Sequence, residues 1–232
     1  LFVTYLYERF GVSVVKDLVS IREDGPAAVE IALANAGYDL TFNEVYLDFI
    51  TACVLDNIEI ESGIYGFESW DYTIQSYTTS TNDYPVTIEN VDHYHYGFNV
   101  YRLTSPPDNF TIKIDNPYPY SVGVVIAMRN SSGWHVSQSQ CHYRSAKISE
   151  YVQSNGIEEV YVITTLMSDE TPTDFQDVYE LAEVPLKSLD FSITEGHSEG
   201  QPMSDRIIVP ILILGIMGLS SIFMVVIKKR RT

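Results

Sequence analysis

Twenty-one consecutive uncharged residues, 207–227 (IIVPILILGIMGLSSIFMVVI), restrict this chain more than any other feature. At about 1.5 Å per residue, a helix of that length matches the roughly 30 Å hydrocarbon core of a bilayer. Pro210 falls in the first turn, where a missing backbone N–H costs little, and Gly215 and Gly218 are ordinary in membrane helices. Lys228, Lys229, Arg230 and Arg231 follow at once, and short basic flanks stay on the cytoplasmic side. The pattern predicts a single transmembrane helix at 206–227, a basic cytoplasmic tail at 228–232, and residues 1–205 outside the cell membrane. A tail-anchored topology would instead carry four clustered cations across the bilayer. Neither an LPxTG-like sorting signal nor a GPI-type tail is present.

Charge separates the two parts. Residues 1–205 hold all thirty-one acidic residues and nine of the fourteen basic ones, a formal charge of −22. Such a surface repels nucleic acid and suits a solvated ectodomain. Two sequons, Asn109-Phe-Thr111 and Asn130-Ser-Ser132, are candidate glycan acceptors on an exported chain. Cys53 and Cys141 are the two cysteines; a disulfide and two free buried thiols are both compatible with their positions.

Periodicity divides the ectodomain at about residue 60. In 1–60 the punctuation is helical. Gly11 reads as a left-handed cap ending a first helix, Ser13 as the cap of a second with Val14, Val15, Leu18 and Val19 at helical spacing. Asp24-Gly25-Pro26 opens a third helix to Ala36, closed by Gly37. Thr41-Phe-Asn-Glu44 forms a capping box, and its helix to about Asp56 should bury Phe42, Val45, Tyr46, Phe49, Ile50 and Val54.

From 64 to 193 the period is 2. Tyr94, Tyr96, Phe98 and Val100 alternate along one face of an expected strand; Phe110, Ile112 and Ile114 do so in the next, with Thr111 and Lys113 outward. Val122, Val124, Ile126 and Met128 continue the pattern. Asn155-Gly156 signals a tight turn before Val160, and Leu189, Phe191 and Ile193 offer a last strand. The fold class expected is α+β: a small helical bundle, then an all-β sandwich of jelly-roll or immunoglobulin-like kind. Residues 194–205 (TEGHSEGQPMSD) are a polar tether with a reach of about 40 Å.

Chemistry is sparse. HExxH, GxSxG, paired CxxC and phosphate-cradling Gly-rich loops are absent from the sequence, so no catalytic, cofactor-binding or metal residue is assigned. His93 and His95 share a strand face and could clamp a metal with His142, yet the same alternation sets them opposite the aromatic face, in solvent. Asp169, Glu170, Asp174 and Asp177 form an acidic loop, a candidate for Ca²⁺ that lacks EF-hand spacing.

The helical segment carries a resemblance. Tyr7-Glu8-Arg9-Phe10-Gly11, a helix about Leu18-Val19, then Gly25, Val29, Glu30 and Leu33, and finally Phe42, Tyr46 and Phe49 near Asp56, are similar in order to the stretch that follows the catalytic helices in secreted zinc metallopeptidases of the hyicolysin and immune-inhibitor-A-like kind. The resemblance implies a helical subdomain that closes the active-site cleft, followed by a sandwich. It also implies that zinc and its ligands belong upstream of Leu1, where an HExxH region would lie. The chain is therefore expected to be the non-catalytic C-terminal portion of a membrane-anchored, metalloprotease-like protein, the sandwich acting as spacer or substrate-positioning module. The alternative is a non-catalytic adhesion ectodomain whose sandwich, through loops such as Tyr118-Pro-Tyr120, takes an extracellular protein or glycan.

Overall fold

The computed structural model describes residues 1–71, 74, 76–93, 95–107, 109–115, 121–141, 147–153, 156–167 and 187–195. The expected span 206–227, its basic tail, the tether from 196 onward, the acidic loop 169–177, His142 and Tyr118-Pro-Tyr120 lie outside the described residues. Among those described, no helix is long and apolar enough to cross a membrane.

Four helices open the chain: α1 (Phe2–Phe10), α2 (Val12–Ser20), α3 (Gly25–Asn35) and α4 (Phe42–Leu55). Tyr5, Leu6 and Phe10 of α1 meet Val14, Val29, Ala32, Leu33, Val45, Ala52 and Cys53 in one buried cluster. Two cap expectations are corrected. Gly11 has φ 86 and ψ 174, outside the left-handed helical well, and it both ends α1 and starts α2. Because a single glycine turns the chain, α2 begins at Val12, and Ser13 lies inside its first turn rather than capping it. After α3, Gly37 at φ 88 sends its N–H to the Ala34 carbonyl while Tyr38 N–H reaches Leu33. These paired bonds satisfy carbonyls that the helix end would otherwise leave open.

The capping box forms as its residues dictate. Glu44 N–H donates to Thr41 Oγ1 at 3.3 Å, and Thr41 N–H donates to Glu44 Oε2 at 2.8 Å. The helix it starts is buried nearly all round, with Val45, Leu47, Ile50, Ala52 and Cys53 all inaccessible. Phe42 and Phe49 remain half-buried.

Nine strands follow among the described residues: β1 (Thr79–Thr81), β2 (Val86–His93), β3 (Phe98–Thr104), β4 (Asn109–Asp115), β5 (Ser121–Asn130), β6 (Gly133–Cys141), β7 (Lys147–Gln153), β8 (Glu159–Met167) and β9 (Lys187–Glu195). One sheet has the order β1-β3-β8-β5-β6 and the other β2-β9-β4-β7. For β2 to β9 this is the strand order of a jelly roll, with β1 added parallel to β3 at one edge. The class is α+β.

Val91, Leu103, Phe110, Ile112, Val122, Val124, Ile126, Val160 and Val162 fill the space between the sheets. The opposite face of the five-stranded sheet carries Val100, Val125, Ala127, Ile163 and Met167, and α4 lies on it through Tyr46, Leu47, Ile50 and Val54. That sheet is therefore covered on both faces, and every residue of β8 is buried. Burying one such side chain contributes about 1.5–3 kcal/mol. Gly123 lets the helix approach: a Cβ there would stand 2.7 Å from Leu47 Cδ2 and 2.9 Å from Thr165 Cγ2. Helices and strands form one compact unit, Leu1–His197.

Three strand expectations are corrected. Residues 94–100 are not one strand: β2 ends at His93, Tyr96 turns at φ 52, and β3 starts at Phe98 in the other sheet. The strands that flank the Asn155-Gly156 turn signal do not pair with each other, since β7 pairs with β4 while β8 pairs with β3 and β5. Thr111, expected to be exposed, is buried, although Phe110 and Ile112 on either side of it are the residues that face the layer between the sheets.

Candidate functional site

His93 was expected in solvent; it is buried inside the sandwich. Its Nδ1 lies 2.9 Å from the Val91 carbonyl and its Nε2 2.8 Å from Thr164 Oγ1. A carbonyl only accepts, so Nδ1 carries the proton and Nε2 takes the threonine hydroxyl's. Burial pushes its pKa below the ordinary histidine value. With both nitrogens engaged, this side chain does not fit a metal ligand, and no group of three or more His, Cys, Asp or Glu that could hold a metal occurs among the described residues.

A trough of about 510 Å³ opens at the start of α4, lined by Glu30, Thr41, Asn43, Glu44 and Gln140. Its carboxylates already serve backbone. Glu30 Oε1 accepts from Phe42 N–H at 2.8 Å, and Glu44 completes the capping box. Nearby, Asp48 Oδ1 accepts from Gln138 at 2.8 Å, tying α4 to β6, and burial raises its carboxyl above the usual range. The burial effect outweighs the amide bond, which acts the other way. None of these groups stands beside a nucleophile with a free base, so the trough is a structural junction.

A second cluster occupies the outer face of the five-stranded sheet. Tyr77, Tyr161 and Trp134 stack in a row, with ring centroids 5.8 and 5.4 Å apart. Arg102 lies over Tyr77 and Arg129 over Trp134, each 5.5 Å from the ring centre. Buried Glu159 joins the two cations, bonding Arg102 Nε and approaching Arg129 Nη2 at 3.2 Å. Each end ring of the row thus carries a guanidinium group at cation–π distance, and Glu159 holds both cations. Sequence reading missed the row, although one signal was present: Arg102 stands inside β3, and Arg129 and Glu159 stand at the paired ends of two strongly apolar strands.

The remaining surface of interest is α1. Val3 and Tyr7, one helical turn apart, are 52% and 54% exposed, while Tyr5, Leu6 and Phe10 face the bundle core. Behind this pair, Glu8 accepts from the backbone N–H groups of Glu68 (2.8 Å) and Ser69 (3.1 Å), and Tyr5 donates to the Ile64 carbonyl at 3.0 Å. These bonds clamp the loop after α4 against α1.

Of the candidate modification sites, Asn130 closes the β5–β6 hairpin; Asn109 begins β4, and its side chain lies outside the described set. Cys53 is a buried thiol whose pKa burial pushes up to about 12. The side chain of Cys141, its candidate partner, is not among those described. Lys228, Lys229, Arg230 and Arg231 lie outside the described residues.

No protein-family model matches the chain, and no curated protein does. Among solved structures, the chain is similar to the pre-peptidase C-terminal domain of a collagenase from Bacillus anthracis. The likeness covers 53% of this chain and 100% of that one, at 10% identity and a TM-score of 0.33, too low to assign fold or function.

Proposed function

We propose that the chain is the non-catalytic C-terminal portion of a membrane-anchored, extracellular zinc metalloprotease-like protein. In this reading α1–α4 support the cleft of an upstream catalytic part, and the jelly roll spaces or positions substrate. Residues 206–227 anchor it, with Lys228, Lys229, Arg230 and Arg231 in the cytoplasm. The observation that carries the reading is the exposed apolar pair Val3 and Tyr7 on α1. It lies within the segment whose motif order resembles the hyicolysin-like enzymes. Adjacent exposed apolar side chains mark a candidate contact surface, and the cleft-forming helices of such an enzyme would cover this one. Zinc would be held entirely by that upstream part.

The adhesion alternative is weaker, because the rings at both ends of the Tyr77–Tyr161–Trp134 row are already engaged by Arg102 and Arg129. Reading the gene upstream of the Leu1 codon tests the proposal. A signal peptide and an HExxH in the same frame are expected; absence of either overturns it.

A further inference from the structure

The two sequons are alike in sequence and unlike in place. Asn109-Phe110-Thr111 enters β4, a central strand bonded to β7 and β9; Phe110 and Thr111 are fully buried. A transferase must handle the acceptor and the hydroxyl residue two positions on, and buried Thr111 cannot be presented without breaking the pairings of β4 on both sides. Asn130-Ser131-Ser132 is the tip of the β5–β6 hairpin, where Asn130 pairs with Gly133 across a two-residue turn and both serines are exposed. Asn130 Oδ1 accepts from Ser132 N–H at 2.8 Å and from Ser132 Oγ at 2.6 Å. This side-chain turn brings the hydroxyl onto the acceptor amide and occupies the oxygen, while the amide nitrogen Nδ2 has no hydrogen-bond partner among the described residues.

We infer that Asn130, and not Asn109, is a glycan attachment site of the folded chain. This rests on the proposed placement of residues 1–205 outside the membrane. The donor is a lipid-phosphate-linked oligosaccharide. The Asn130 Nδ2 forms a bond to the anomeric carbon, the bond from that carbon to the phosphate oxygen breaks, the lipid phosphate leaves with the electron pair, and one amide proton passes to a base of the transferase. A glycan at this tip stands beside β6, which ends the order of its sheet. It would block edge-to-edge pairing there, a hazard for any open strand.

The test is glycopeptide mass spectrometry of the full-length protein purified from its own cells, with protease treatment of intact cells in parallel. A sugar mass on Asn130 in most molecules, none on Asn109, and at least tenfold loss of occupancy in Ser132→Ala are expected. An unmodified Asn130 in a chain that protease removes from intact cells overturns the inference alone. An unmodified Asn130 in a chain that protease cannot reach overturns both the inference and the topology. Glycan on Asn109 also overturns the inference. The wild-type measurement needs no variant to fold.

Discussion

His93 on β2 and Thr164 on β8 are joined by a 2.8 Å hydrogen bond that crosses the sandwich from one sheet to the other. The bond requires a neutral imidazole, and burial lowers the pKa to keep it so. A base with a lowered folded pKa binds its proton more readily when unfolded, so its contribution is fully present above the unfolded value near 6.5 and is lost as pH falls below it. The slope cannot exceed about 1.4 kcal/mol per pH unit for one proton. His93→Gln should cost about 1–2 kcal/mol at pH 7.5, and the gap to wild type should narrow towards pH 5. Urea midpoints at both pH values measure it; a gap that stays constant would show that the ring does not titrate on unfolding.

Gly123 is the point where α4 seats on the sheet. Gly123→Ala places a methyl group within 3 Å of Leu47 and Thr165 side-chain atoms in a packed layer that cannot expand locally. A loss of about 1–3 kcal/mol is expected. Chemical denaturation reads it, and a neutral result would mean that the helix and sheet separate more easily than their packing implies.

Glu159 is buried between two half-exposed arginines. Removing either cation leaves the carboxylate one cationic partner; removing both leaves it, among the described residues, only the Tyr161 hydroxyl, which donates to Oε1 at 3.2 Å. Arg102→Met and Arg129→Met should each cost about 1 kcal/mol. The double variant should lose roughly 3–5 kcal/mol, more than the sum of the two. A double-mutant cycle decides it, and simple additivity would argue that water already reaches Glu159.

The apolar pair on α1 predicts a separation of stability from function. Val3→Ser with Tyr7→Ser should change unfolding of residues 1–197 by no more than about 0.5 kcal/mol, since neither side chain is in the core. On the proposed metalloprotease-like reading, the same pair should lower the peptidase activity of the full-length protein severalfold. Unchanged activity would remove α1 from any role in supporting the cleft.

Much of the framework was readable locally. The capping box at Thr41 and Glu44, the helix stop at Gly37 and the existence of β4, β5 and β9 each depend on residues a few positions apart. What local pattern misjudged lies at corners and in layers. Period-2 alternation runs unbroken through 94–100, yet Tyr96 turns the chain from one sheet to the other; alternation records which side a residue faces and not which sheet receives it. His93 and Thr111 are polar types expected outside. His93 is inside because its partner, Thr164, lies seventy-one residues away.

By itself, then, the sequence determined the helical and β-rich halves, the acidic balance, the apolar run at 207–227 and the absence of a catalytic motif, all set by composition and short-range spacing. Only the tertiary structure decided the jelly-roll order, the double covering of β8, the Arg102–Glu159–Arg129 bridge and the different settings of Asn109 and Asn130. Each of these depends on which distant strands pair, and pairing is chosen by the total apolar surface buried across the whole sandwich rather than by any segment alone.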